Sequence, residues 1–183
     1  MVALPREMPE AFNRVTALFL AGTFAVRREL YERVGGYTED LPISHQTELS
    51  LRLVPELHGA GMAVASVDRP LVHIERRAVN QRLWRPIDTL AGARYLLDHH
   101  GRQLARSPGV LANYHAVAGV AAYQVGDLAG SRRHFLSAAR ADPRHLRHAA
   151  RYALSLVPAL GNKVWGRHGT MVPHAPATEL EVR

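Results

Sequence analysis

The fold class this sequence predicts is an α/β layer followed by an all-α helical hairpin region, α+β overall. Three observations predict it. Residues 1–80 mix β-branched, apolar runs with Gly and Pro turns. Residues 81–165 are rich in Ala, Leu, Arg and His at helical spacing, with short Gly or Pro breaks. Residues 166–183, which include Pro173 and Pro176, carry no periodicity and are expected to be disordered.

In chain order, residues 16–26 form an apolar run ended by Arg27-Arg28-Glu29. Gly22 interrupts it, which suits a strand approached closely by another backbone. Residues 28–34 make about two helical turns with Leu30 and Val34 on one face. Gly35-Gly36 stops that helix, because glycine enters the left-handed C-cap conformation without a Cβ clash. Leu49, Leu53 and Leu57 then recur every four residues, as do Glu48, Arg52 and Glu56 on another face. That is an amphipathic helix with one buried stripe and one charge ladder. Gly59-Ala60-Gly61 ends it, and residues 62–67 and 70–74 read as extended pieces.

In the helical region, Gly119, Ala122, Gly126, Ser131, Phe135 and Ala138, counted back from Pro143, fall close to positions that a tetratricopeptide repeat fills with small or aromatic residues. Gly126-Asp127 is the expected inter-helix turn. Gly119 lets the two helices approach and Phe135 fills the gap between them. Tyr123 sits one residue after the usual aromatic position. Residues 144–156 are helical again and cap a hairpin that cannot bury its face alone. One unit is visible, so this is a TPR-like appendage rather than an array.

Composition bounds the function classes. Apolar residues at 47% and charged residues at 21% are ordinary globular values. No run of eighteen apolar residues predicts a membrane span, and the first residues carry no basic-then-apolar signal pattern. The absence of cysteine excludes disulfides, thiolate metal sites and a Cys nucleophile, and a cytoplasmic protein is the default. The net charge of +7 comes almost wholly from scattered arginines, since Lys163 is the sole lysine. No basic tract is interleaved with aromatics, so nucleic acid is not an expected partner; peripheral contact with an anionic membrane surface is.

Chemistry concentrates in three pieces: Gly22-Thr23-Phe24-Ala25-Val26-Arg27-Arg28, Gly35-Gly36-Tyr37-Thr38-Glu39, and Thr47-Glu48-Leu49-Ser50-Leu51-Arg52. Together they resemble the acceptor-side half of inverting family 2 glycosyltransferases, over residues 19–73, about a third of the chain. The resemblance implies a partial GT-A-like layer and sugar transfer from a nucleotide-sugar to an acceptor hydroxyl on an envelope polysaccharide or lipid. It also implies a divalent metal, Mg²⁺ or Mn²⁺; the cytoplasmic location, peripheral at the inner membrane face, is the expectation from composition and charge. In the family an acidic pair, Glu-Asp, directly precedes the helix, and its Asp is the base. Here those positions are His45 and Gln46. Glutamine cannot accept a proton at neutral pH, whereas an imidazole can.

Carried over position by position, the resemblance makes Glu48, His45 and Asp40 the catalytic candidates. Arg52, Gly36 and Tyr37 become substrate-binding candidates, and His73 a metal-ligand candidate. The same residues also admit plainer roles. Glu48 and Arg52 are spaced for an exposed i,i+4 pair worth about 0.2–0.5 kcal/mol; His45 reads as a loop histidine and His73 as a strand-end one. No Asp-x-Asp and no glycine-rich phosphate loop occurs. The chain is therefore expected to be truncated and inactive alone, its enzyme status resting on the family. The alternative is a non-catalytic TPR-like protein-interaction module. His99-His100 and the pair His145 and His148 lack further zinc ligands at suitable spacing and are expected to be solvated.

Overall fold

The computed structural model describes residues 24–62 and 85–166. Among the described residues 75% are helical and there is no strand, so the described architecture is all-α. This corrects the expected α/β, GT-A-like layer. A strand needs a neighbour with which to exchange backbone hydrogen bonds. Residues 24–27 form no strand, and Phe24 and Val26 instead pack against a helical cluster of Leu30, Leu49 and Leu53. The other predicted extended stretches, 16–23 and 63–74 with His73, lie outside the described residues, as does the tail from 167.

Among the described residues seven helices follow one another: α1 (Arg28–Arg33), α2 (His45–Gly59), α3 (Pro86–Leu104), α4 (Pro108–Gln124), α5 (Leu128–Ala141), α6 (Leu146–Leu156) and α7 (Pro158–Trp165). Contacts run chiefly between consecutive helices from α3 to α6, as in a stacked helical array. The centre is α4, which has no charged residue and buries Ala112, Ala116, Ala118, Gly119, Ala121, Ala122 and Tyr123. Small side chains on every face let neighbours approach from several sides. At Gly119 an added Cβ would lie 2.7 Å from the Phe135 ring, so only glycine fits the observed spacing. Phe135 in turn stacks on Trp165 at 4.9 Å, and Tyr123 meets the same indole edge-on at 5.2 Å.

The α4–α5 turn is built from two local devices. The Gly126 amide donates to the Tyr123 carbonyl and the Asp127 amide to the Ala122 carbonyl, the double bond of a Schellman cap, with Gly126 at φ 87°. Asp127 then accepts from the Gly130 amide at 2.7 Å and caps α5. Its other oxygen meets Arg94 of α3 at 2.9 Å.

Helix α2 is buried on two faces. Leu49 and Leu53 face Leu30 of α1, while Leu51 and Val54 face Leu96 and Leu104 of α3. Pro55 lies inside α2 and has no amide to give the Leu51 carbonyl four residues back. Gln103 of α3 fills that vacancy, its Nε2 donating to the Leu51 carbonyl at 3.0 Å. Above it, Gly92 of α3 lets the Ile43 side chain sit where a Cβ would approach within 2.8 Å. Helix α3 thus seats both α2 and the loop that leads into it.

Candidate functional site

The Gly35-Gly36 stop forms as the sequence predicts, through another Schellman cap. The Gly35 amide donates to the Glu32 carbonyl and the Gly36 amide to the Tyr31 carbonyl, both at 3.0 Å. Both glycines hold positive φ, 78° and 67°, a region that costs an L side chain about 1–2 kcal/mol. The chain leaves this turn through Tyr37 and Thr38 and re-enters helix at His45, after Ser44 at φ 71°.

Arg52 ties this turn to α2. Its Nη2 donates to the Gly36 carbonyl at 2.7 Å, its Nη1 to the Val34 carbonyl, and its Nε to Glu48 Oε1 at 2.7 Å. A second guanidinium bond reaches Glu48 Oε2. Glu48 is 1% exposed. It also accepts from the Thr38 hydroxyl at 3.0 Å and from His100 Nε2 of α3 at 3.0 Å. Burial opposes ionisation of Glu48, but the bonds from Arg52, His100 and Thr38 outweigh it and hold the carboxyl below its ordinary range. Its bond to Glu48, working against burial, raises the Arg52 guanidinium further. Glu48 and Arg52 are therefore a buried fixture, neither the exposed charge ladder that spacing alone allows nor a free proton acceptor.

The other candidates surround that fixture unevenly. Tyr37 is 40% exposed, edge-on to the His45 ring at 6.3 Å and to Tyr31 at 5.9 Å. Its amide donates to the Tyr31 hydroxyl at 3.2 Å. His45 and Gln46 are half-buried at the start of α2, and Asp40 is exposed in the loop. The structure thus brings Gly36, Tyr37, His45, Glu48 and Arg52 together, with Asp40 at the margin. Among the described residues no group of three or more His, Asp or Glu side chains could hold a metal ion. Glu48, with both oxygens engaged by Arg52, Thr38 and His100, is not free to ligate the Mg²⁺ or Mn²⁺ that the resemblance implies.

Spacing failed to single out three histidine features. His100, expected in solvent, is the partner of Glu48, and His148, also expected in solvent, is fully buried. His115 of α4 and His134 of α5 meet Nδ1 to Nδ1 at 3.3 Å. Burial lowers the pKa of His115. Burial first, then the charges of His115 and Arg94, push His134 down to about 4. The sequence offers no symmetric spacing for that pair, since His115 lies farther from the Gly126 turn than His134 does.

Beyond this region, a groove of about 330 Å³ runs across α3, α4 and α6, lined by Thr89, Asn113, Val117, Val120, Gln124 and Arg151 among others. No helix among the described residues is long and apolar enough to cross a membrane. No protein-family model matches this chain, and neither a curated protein nor a solved structure matches it.

Proposed function

We propose that the chain is the acceptor-side element of a family 2-like glycosyltransferase, binding a glycan or lipid-linked saccharide, and that it transfers no sugar from a nucleotide-sugar by itself. One observation carries this reading: the Arg52–Glu48 fixture joins the Gly-Gly-Tyr and Thr-Glu-Leu-Ser-Leu-Arg segments, the pieces that bear the resemblance, into one hydrogen-bonded unit. The unit holds the exposed Tyr37 ring beside the His45 imidazole. An aromatic face next to a polar nitrogen suits a sugar, which offers C–H groups on one side and hydroxyls at its edge. Turnover by the chain alone is not expected, because the sequence has no Asp-x-Asp and no glycine-rich phosphate loop to hold a donor, Gln46 cannot accept a proton, and Glu48 has no free oxygen. We place the protein in the cytoplasm, its arginines suited to the anionic inner face of the membrane.

The test combines a saccharide array with a sugar-nucleotide panel in the presence of Mn²⁺. The expected outcome is retention of an acceptor saccharide, its loss in Tyr37→Ala, and no donor consumption by wild type or Gln46→Asp. Donor turnover above background overturns the inactivity. Equal saccharide retention by wild type and Tyr37→Ala overturns the acceptor assignment.

The groove across α3, α4 and α6 favours a second reading, a TPR-like module that binds a protein segment over Val117 and Arg151. Val117→Asp separates the two readings. It abolishes peptide capture if the groove is the working surface and leaves saccharide retention intact if it is not.

A further inference from the structure

His115 and His134 face each other across the α4–α5 hairpin with Nδ1 atoms 3.3 Å apart and ring planes tilted by 39°. So short an approach has two physical meanings. In one, the nitrogens share a proton. In the other, they form a bite: a tetrahedral metal with metal–nitrogen bonds of about 2.0–2.1 Å sets its ligands about 3.3–3.4 Å apart. Cis ligands of a square-planar or octahedral centre with those bonds would stand about 2.9 Å apart, and a linear pair at about 4 Å. The observed spacing matches the tetrahedral case.

We propose that His115 and His134 form a two-histidine chelate for a tetrahedral divalent ion, Zn²⁺ in the first instance, with solvent or an external ligand completing the coordination. The hairpin holds the ligands before the ion arrives. Its register is fixed by the Schellman turn at Gly126, by the Asp127 cap and by the Phe135 ring against Gly119. Both rings are half-buried, so solvent still reaches them. Coordination through both Nδ1 atoms needs no net proton release from two neutral rings: the proton on Nδ1 of one ring moves to Nε2 by exchange with water.

The surrounding charge limits affinity. Arg94 from α3 and Arg133 on α5 oppose a cation, and Asp127, paired to Arg94 at 2.9 Å, offsets them in part. With two protein ligands against this field, the ion is expected to bind far more weakly than in a site with four protein ligands.

The experiment is Zn²⁺ titration of the full chain at pH 7.5 by calorimetry, paired with thermal unfolding. The chain has 11 histidines, so binding alone does not locate the site. His115→Phe and His134→Phe should each weaken binding at least tenfold, while His145→Phe leaves it unchanged. At saturating Zn²⁺ the wild-type midpoint should rise by about 3–6 °C, and neither pair variant should respond. Absence of binding at millimolar Zn²⁺, or unchanged affinity in both pair variants, overturns the proposal. Should the variants fail to fold, nitrogen NMR of the imidazoles in the wild type decides. Zn²⁺ must drive both rings to the Nε2–H tautomer, and rings that do not respond overturn the chelate.

Discussion

Replacing Arg52 by methionine keeps the length and most of the packing of the side chain while removing every donor. The Val34 and Gly36 carbonyls then lose the guanidinium, and Glu48, 1% exposed, keeps only Thr38 and His100. Breaking a buried pair from one side costs about 3–5 kcal/mol, because the remaining charge is left uncompensated. The Arg52 side chain is 24% exposed, which allows water to reach part of the vacated space, so the low end, about 3 kcal/mol, is expected. An exposed i,i+4 pair would instead be worth about 0.3–0.5 kcal/mol. Urea unfolding followed by circular dichroism separates these values easily. Glu48→Leu with Arg52→Met should cost less than the two single changes added together, by about 2 kcal/mol, since the double variant leaves no orphan charge. A single-variant cost below about 1 kcal/mol with additive behaviour would refute the buried fixture and return the pair to the helix surface.

Three further outcomes follow from the same structure. Gln103→Leu orphans the Leu51 carbonyl and should destabilise by about 1–3 kcal/mol in urea; in a Pro55→Ala background, where an amide is restored at 55, most of that cost should vanish. Gly119→Ala forces a methyl against the Phe135 ring at 2.7 Å and should cost about 1–3 kcal/mol by calorimetry, through overpacking. Because the Glu48 pKa is lowered in the folded chain, its contribution is fully present above the ordinary value of about 4.5 and is lost as pH falls through the native value. The stability difference between wild type and Glu48→Gln should therefore be constant near neutrality and shrink only once the pH has fallen below about 4.5.

What the sequence discloses here is local. The Gly-Gly stop after α1, the turn at Gly126-Asp127 and the closeness of Gly119 to Phe135 are all encoded within a few residues or one helix pair, and glycine meets each at the lowest conformational or steric cost. Burial is a different matter. The i,i+4 spacing of Glu48 and Arg52 predicts that they meet but not whether they meet in water, which depends on His100, 52 positions later. The apolar run ending at Val26 has the composition of a strand, but the described part of it forms none and packs onto α1 and α2. Composition registers the wish to be buried, not the geometry that grants it. Pro55 is the sharpest case, since locally it argues against the helix that contains it.

That proline also bears on how the molecule comes apart. A helix whose missing internal bond is completed by Gln103 borrows part of its order from residues far along the chain. The compositional border near residue 80 therefore does not coincide with a border of cooperative unfolding. Amides of α2 should exchange with solvent in step with the opening of the α2–α3 seam, ahead of those in the α4–α5 hairpin. Expressed alone, a piece ending before α3 would behave as a fluctuating peptide rather than a small domain.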